Sequence, residues 1–158
     1  MWDFFDEVPV RYNKKRELHA FRKQHISFVF QNFELMNRYT VYENVDMPLI
    51  ARNIKKRKNI VMDVLKQVGI SEIYNKKVSK LSGGQQQRCA IARALIADTD
   101  VILADEPTGS LDSKTSAEIM ELLVSINKTG KTVIIVTHDA KVAAQCGRTI
   151  EIEDGEIL

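Results

Sequence analysis

Two adjacent carboxylates, Asp105 and Glu106, follow the apolar segment at residues 101–104, whose sequence is VILA. That segment is typical of a buried strand, so both carboxylates would lie at its carboxyl end, where open α/β sheets bind ligands. One carboxylate there can hold Mg²⁺ while the other orients or deprotonates an attacking water, as phosphoryl transfer requires. Taken alone, the pattern is more often a surface turn with the sequence Asp-Glu-Pro.

The segment SGGQ at residues 82–85 begins a predicted helix. Ser82 is a good N-cap, and Gln85 three residues later completes a capping box. Gly83 and Gly84 allow the backbone to approach a ligand closely, and the helix N-terminus offers free N–H groups to an anion. A flexible loop followed by a capped helix is the alternative interpretation.

Two further polar side chains follow apolar strand-like segments. His138 follows VIIVT, and Gln31 follows ISFVF. An imidazole or an amide at a strand end can reach a phosphate, a metal or a water. A histidine that fills a gap in the core and a solvated glutamine are the more common structural alternatives.

The surrounding pattern predicts an α/β fold with a largely parallel sheet, because strands and helices alternate and the inner strands are apolar on both faces. Residues 41–97 are nearly free of strand signals and predict a helical insertion. The alternation in RTIEIE at residues 148–153 indicates an edge strand, and Asp154-Gly155 indicates a hairpin turn. Strands are expected at residues 26–30, 101–105 and 132–137, and the last two, VILAD and TVIIVT, are expected to be buried. Helices are expected at residues 14–25, 41–53, 57–68, 82–97, 113–127 and 140–146.

Together these segments resemble the motifs of ATP-binding cassette (ABC) ATPases, in order and in spacing. ENVDMPLI at residues 43–50 and ADEPTGSLDSKT at residues 104–115 are similar to the bacterial lipoprotein-release, macrolide-export and antimicrobial-peptide exporter group. The resemblance covers about residues 15–158. The matching motifs are FVFQ (Q-loop, 28–31), LSGGQQQR (signature, 81–88), VILADEP (Walker B, 101–107), SLD (D-loop, 110–112) and VTHD (switch histidine, 136–139).

The resemblance implies roles for these residues. Glu106 would be the general base for the attacking water, and Asp105 and Gln31 would help to hold Mg²⁺ and to sense the γ-phosphate. His138 would contact the γ-phosphate of ATP.

Other implied roles involve a second subunit. Ser82, Gly83, Gly84 and Gln85 would close on ATP held by that subunit, and Asp112 would link the two sites across the dimer.

The resemblance also implies an assembly. The chain would be an ATPase subunit on the cytoplasmic face of the cell membrane, working as a homodimer or heterodimer of ABC ATPases and contacting the membrane only through permease subunits. The expected organisation is one partial domain, residues 1–158. Within it, a helical subdomain at residues 41–97 carries the signature motif and meets the permease, and residues 98–158 form the C-terminal part of the α/β core.

A P-loop is absent from these 158 residues, since the first glycine is Gly69 and Gly130-Lys131-Thr132 precedes a strand instead of following one. We therefore expect a partial P-loop-NTPase-type core, with one flank of the sheet exposed and residues 1–13 least ordered. The alternative function is a truncated, catalytically inactive fragment that acts only as a binding module or has no function.

Composition and charge argue against nucleic-acid-binding, membrane-spanning and disulfide-rich proteins. The formal net charge of +2 and the scattered aromatic residues give no indication of nucleic-acid binding. No apolar run approaches the ~18 residues of a membrane span. Cys89 and Cys146 form no metal-binding or disulfide pattern, so we expect them to be core residues in a reducing compartment.

Overall fold

The computed structural model describes residues 14–158 in full and residues 3–5 and 8–10 as backbone strands only. We expected residues 1–13 to be the least ordered, but most of them lie outside the described residues. The strands are β1 (Asp3–Phe5), β2 (Val8–Val10), β3 (Ile26–Phe30), β4 (Val101–Asp105), β5 (Thr132–Val136), β6 (Ile152–Glu153) and β7 (Glu156–Ile157). The helices are α1 (Lys15–His25), α2 (Val41–Ala51), α3 (Arg57–Gln67), α4 (Gly83–Ile96), α5 (Ser113–Asn127) and α6 (Ala140–Ala143).

The central sheet is parallel, with the strand order β3-β4-β5. Its register pairs Phe30 with Asp105 and Asp105 with Val136, so the three strands end at the same level. Each parallel pair is joined by a connection that contains a helix, as parallel strands require. The predicted α/β fold with a parallel sheet is confirmed.

The two faces of this sheet differ. One face packs into the core and carries Val29, Ile102 and Ala104, which are buried. Side chains on the opposite face reach solvent: Phe28 is 41% exposed and Val136 is 60% exposed. The expectation that TVIIVT is a fully buried strand is wrong, because β5 is an edge strand whose residues alternate between half-buried and exposed.

Helices dominate residues 41–97, as the periodicity predicted. Thr40 caps α2 in a reciprocal capping box with Glu43, and Gly69 takes a left-handed conformation just after α3. Two short 3-10 turns, Ser71–Ile73 and Val78–Lys80, precede α4. In α3, Val61 and Leu65 are buried, whereas Ile60 is exposed.

The C-terminal region differs from its prediction. Only Ile152–Glu153 of the segment RTIEIE forms a strand, and it pairs with Glu156–Ile157 outside the central sheet. The predicted turn is confirmed, since Asp154 and Gly155 both have positive φ, as a two-residue I′ hairpin needs.

Cys89 is buried, and burial raises the pKa of its thiol to about 12, which fits a core residue. Across the described part of the chain, the helices are all too short or too polar to cross a bilayer.

Candidate functional site

The carboxyl ends of β3, β4 and β5 bring three predicted site segments to one edge of the sheet. Gln31 follows β3, Glu106 follows β4 and His138 lies two residues after β5. The N–H of Glu106 donates to the carbonyl of Val136 at 2.9 Å, so the turn after β4 remains attached to β5. Segments far apart in sequence thus become neighbours through the parallel register.

Three donors hold the Glu106 carboxylate. Oε1 accepts from the N–H of His138 at 2.8 Å and lies 2.8 Å from His138 Nδ1. Oε2 accepts from the hydroxyl of Thr137 at 3.0 Å. Because a carboxylate only accepts, Nδ1 must carry the proton in this contact. The His138 side chain itself is 88% exposed.

The backbone of Glu106 is left-handed, with φ of 44°. A non-glycine residue held there is strained, and such strain concentrates at functional sites. Partial burial raises the pKa of Glu106, but the hydrogen bonds from His138 and Thr137 outweigh it and leave the pKa below its ordinary value. Glu106 is therefore ionised at neutral pH and held in one orientation.

The amide of Gln31 lies against the turn that follows Glu106. A Cβ placed on Gly109 would come within 2.8 Å of Gln31 Nε2, so the Gln31 amide would have to move if residue 109 carried a side chain. The hydroxyl of Ser110 donates to the carbonyl of Gln31 at 3.3 Å. These contacts connect the loop after β3 to residues 109–110.

Asp105 is the exposed last residue of β4. Among the described residues, no cluster of three or more His, Cys, Asp or Glu side chains could hold a metal ion by itself. Mg²⁺ usually binds through one or two carboxylates together with substrate phosphates and water. One exposed aspartate beside an amide at this edge fits a Mg²⁺ that arrives with a phosphate ligand.

The signature segment forms the predicted capped start of α4. Ser82 Oγ accepts from the N–H of Gln85 at 3.4 Å, and Gln85 Oε1 accepts from the N–H of Ser82 at 3.2 Å. Packing against neighbouring residues also explains the glycines. A Cβ on Gly84 would lie 2.5 Å from Cγ2 of Thr115, and one on Gly83 would lie 3.1 Å from Cδ2 of Leu111.

Asp112 caps α5. Its carboxylate accepts from the hydroxyl of Thr115 at 2.6 Å and from the N–H groups of Lys114 and Thr115. Hydrogen bonds from Thr115, first its hydroxyl and then its N–H, lower the pKa of Asp112. Asp112 is thus an exposed anion held in one orientation at a helix start.

The predicted residues form two groups. Gln31, Glu106 and His138 lie together at the ends of the strands, with Asp105 beside Glu106. Within the described residues, no hydrogen bond joins Ser82–Gln85 to Glu106 or His138. Gly83 lies instead beside Leu111 and Phe33, and Gly84 lies beside Thr115.

Sequence reasoning missed three polar residues that support these groups. Thr137 binds Glu106, and its place beside His138 at a strand end was the available signal. Gln87, which is fully buried, donates to the carbonyl of Pro107 at 2.6 Å. Arg93 donates to two carbonyls after Gln31. The helical periodicity of α4 does not reveal either contact.

Comparison with known proteins gives consistent matches. The family described as ABC transporter matches residues 5–109. The chain is 43% identical to the uncharacterized ABC transporter ATP-binding protein YvrO of Bacillus subtilis, over 97% of this chain and 68% of that protein. It is also 43% identical to the macrolide export ATP-binding/permease protein MacB of Campylobacter jejuni, over 98% of this chain but 24% of that protein.

Solved structures agree with the sequence matches. The dimeric ATP-binding cassette MJ0796, in a post-hydrolysis state bound to ADP and Pi, superposes with a TM-score of 0.82 at 42% identity, over 98% of this chain and 69% of that chain. The cbiO1 protein of Clostridium perfringens, part of the complex cbiONQ, superposes with a TM-score of 0.84 at 33% identity, over 98% of this chain and 63% of that chain.

The chain spans about a quarter of the length of its macrolide-export relatives and about two thirds of the length of single-cassette relatives. The matched region includes the ends of β3 and β4 and the capped start of α4. The sequence motifs, the fold and the comparisons agree, and the chain belongs to the ABC transporter ATP-binding family.

Proposed function

We propose that this chain supplies the hydrolytic edge of an ATP-driven transport cassette. The observation that carries the proposal is the convergence of Gln31, Glu106 and His138 at one sheet edge, with the Glu106 carboxylate ionised and fixed. A fixed carboxylate near a triphosphate can take a proton from an attacking water. The reaction would be hydrolysis of ATP, coupled to transport.

Glu106 has room for that role. Oε1 accepts two hydrogen bonds from His138, whereas Oε2 accepts only one within the described residues, from Thr137. A carboxylate oxygen has two lone pairs, so Oε2 can accept a further hydrogen bond from a water. The proton of that water would pass to Oε2 as its oxygen bonds to the γ-phosphorus and the bond from that phosphorus to the β–γ bridging oxygen breaks, which releases ADP and phosphate.

Asp105 and Gln31 would hold Mg²⁺ together with phosphate oxygens, and His138 would contact the γ-phosphate through its exposed ring. Mg²⁺ would neutralise charge that develops on the phosphate oxygens. Asp105 supplies the carboxylate oxygen and Gln31 the amide oxygen, both of which are hard ligands suited to this ion.

The signature residues would serve a nucleotide held by a second subunit. Ser82, Gly83, Gly84 and Gln85 present a helix N-terminus to an anion, but they lie beside Leu111 and Thr115 instead of Glu106. A dimer with another ABC ATPase would satisfy this geometry, and the related cassette MJ0796 has a dimeric structure. Asp112 would link the two sites, since the segment 110–112 contacts both Gln31 and Gly83.

The partner in the membrane would be a permease subunit. MacB is by its name both an ATP-binding and a permease protein, which supports this pairing. We infer that residues 41–97 form a helical subdomain facing the permease, that residues 98–158 belong to the α/β core, and that the whole acts at the cytoplasmic face of the membrane.

The test of catalysis uses a cassette in which a P-loop segment from a relative such as YvrO is fused ahead of this chain. We expect Glu106→Gln to leave ATP binding intact and to reduce hydrolysis by about 10²–10⁴-fold, because the amide keeps the shape but cannot accept the proton. If the Glu106→Gln cassette hydrolyses ATP at the unmodified rate, Glu106 is not the general base.

The second candidate function is that of a binding module. The 158 residues contain no P-loop motif, and the P-loop lysine and N–H groups provide most contacts to the β- and γ-phosphates. We therefore expect the 158-residue chain to bind Mg-ATP poorly in calorimetry. A micromolar dissociation constant, about −8 kcal/mol, would contradict this.

Such a module could still complete a site in a related ATPase that has its own P-loop. We expect the chain to change the rate of that ATPase, and Ser82→Arg to abolish the change because a bulky cation removes the cap and fills the anion site. Equal effects of the two chains, or no effect of either, would exclude a role in trans for the signature.

A further inference from the structure

The loop after Gln31 contains two successive left-handed residues that are not glycine. Phe33 has φ of 61° and Glu34 has φ of 49°. Each such residue is disfavoured by contact between Cβ and the backbone. The hydrogen bonds within the loop span only a few residues. The N–H of Phe33 donates to the carbonyl of Phe30, and the N–H of Glu34 donates to the carbonyl of Asn32. Something outside the loop must stabilise this conformation.

Arg93 of α4 provides that contact. Its Nη2 donates to the carbonyl of Phe33 at 3.0 Å, and its Nη1 donates to the carbonyl of Glu34. A guanidinium is suited to this because its donors form a rigid planar fork. Burial lowers the pKa of Arg93, while Cys89 and Glu34 partly oppose that shift. Desolvation makes these two hydrogen bonds stronger than they would be in water.

The other side of the loop is held as well. Ser110 donates to the carbonyl of Gln31, and the Gln31 amide lies over Gly109, three residues after Glu106. Ser110 therefore holds the loop at Gln31, and Arg93 holds it at Phe33 and Glu34, so the backbone between these contacts fixes where the Gln31 amide lies.

We propose that Arg93 is a positioning residue for Gln31, which acts by holding Phe33 and Glu34 in the left-handed conformation. The inference rests on the proposed role of Gln31 at the metal and the γ-phosphate. Without the guanidinium fork the loop relaxes, and the amide leaves its place over Gly109. Arg93 thereby connects the signature helix to the Gln31 loop.

The test is amide hydrogen exchange of the 158-residue chain, without nucleotide. Arg93→Met removes the donors but keeps much of the side-chain volume. We expect exchange at residues 31–36 to rise on the order of tenfold or more, with exchange in α4 and β4 unchanged. A merely structural role would instead raise exchange throughout the core.

Arg88 on the same helix gives the matched control. It also donates to a backbone carbonyl, that of Val68, and pairs with Glu118, but it does not reach the loop. Arg88→Met should leave exchange at residues 31–36 unchanged. Unchanged loop exchange in a folded Arg93→Met chain, or equal rises in both variants, would overturn the proposal.

Two more variants keep the proposal testable if Arg93→Met does not fold. Arg93→Lys keeps the charge but cannot reach both carbonyls as a fork, so loop exchange should rise to an intermediate level. Glu34→Asn, added to either Arg93 variant, should restore part of the protection because asparagine tolerates the left-handed region. Absence of both effects would count against the proposal.

The role of Gln31 is tested separately in the fused cassette. Arg93→Met should lower kcat with little change in KM for ATP, because Gln31 contacts the reacting end of the nucleotide and not its base. Loop exchange that rises while kcat stays constant would confirm the positioning contact and reject the proposed role of Gln31.

Discussion

Hydrogen bonds to Glu106 oppose the effect of its burial. Burial alone would raise the pKa of this carboxyl and favour its protonated form, but two donors from His138 and one from Thr137 outweigh that effect. A base with a lowered pKa is a weaker proton acceptor than a base with a pKa near 7. For Glu106, orientation and electrostatic attraction must therefore compensate for lower basicity.

The lowered pKa predicts how stability depends on pH. A carboxylate whose pKa is lower in the folded state stabilises the fold above its unfolded value of about 4.5, and this contribution is lost as pH falls through the folded value. We expect Glu106→Gln to remove this part of the acid dependence, measured as the difference in melting temperature between the two chains from about pH 3 to pH 6.

Thr137→Val serves as the graded variant for that measurement. It removes one of the three donors, so the folded-state pKa of Glu106 should rise towards its unfolded value, and the loss of stability in acid should be smaller than in the unmodified chain. Identical acid profiles for the unmodified chain, Glu106→Gln and Thr137→Val would show that Glu106 is not coupled to folding.

At the level of secondary-structure elements, the close approach of α4 and α5 explains why residue 84 is glycine. Alanine normally favours a helix over glycine by about 1 kcal/mol. Here its Cβ would lie 2.5 Å from a methyl carbon of Thr115, which has to move together with the start of α5. Overpacking of this kind costs about 1–3 kcal/mol, so the clash outweighs the gain in helix propensity.

We expect Gly84→Ala to lower the free energy of unfolding by about 1–2 kcal/mol in urea titration. Adding Thr115→Ser should recover most of the loss, because serine lacks the clashing methyl and keeps the hydroxyl that binds Asp112. Gly83→Ala should cost less, since the end of the Leu111 side chain can move. A neutral Gly84→Ala would mean that the two helices separate easily.

At the level of the whole molecule, one face of the central sheet is exposed among the described residues. Phe28, Phe30, Ile134 and Val136 are exposed on it, and they surround the half-buried Leu103. Parallel sheets are normally covered on both faces. Apolar surface of this kind drives association. The expectation of one exposed flank is confirmed for the described residues.

We expect the 158-residue chain to bind an apolar dye and to self-associate in light scattering, and Ile134→Thr together with Val136→Thr to reduce both. Threonine keeps the strand propensity and adds a hydroxyl on the exposed face. The control is Ile135→Thr on the opposite face, which packs against the core and should lower stability by about 1–3 kcal/mol. A monodisperse chain that binds no dye would contradict the prediction.

Local sequence signals predicted most elements correctly. The capping box at Ser82 and Gln85 fixed the start of α4, and the turn residues Gly69 and Gly155 lie where the chain changes direction. Two predictions were wrong. An apolar run cannot distinguish a strand covered on both faces from an edge strand, so β5 was predicted to be buried. Alternation in RTIEIE could not show that these residues have no neighbour in the central sheet.

The family motifs, the order of strands and helices, and the residues able to do chemistry can be recognised in the sequence, because caps, turns and periodicity act over a few residues. Which of those residues meet depends on the tertiary fold. The parallel register brings Gln31, Glu106 and His138 together, while the signature residues lie beside α5. Contacts such as that of Arg93 with Glu34 join positions 59 residues apart. No local pattern encodes such a distance, because it results from the packing of whole elements.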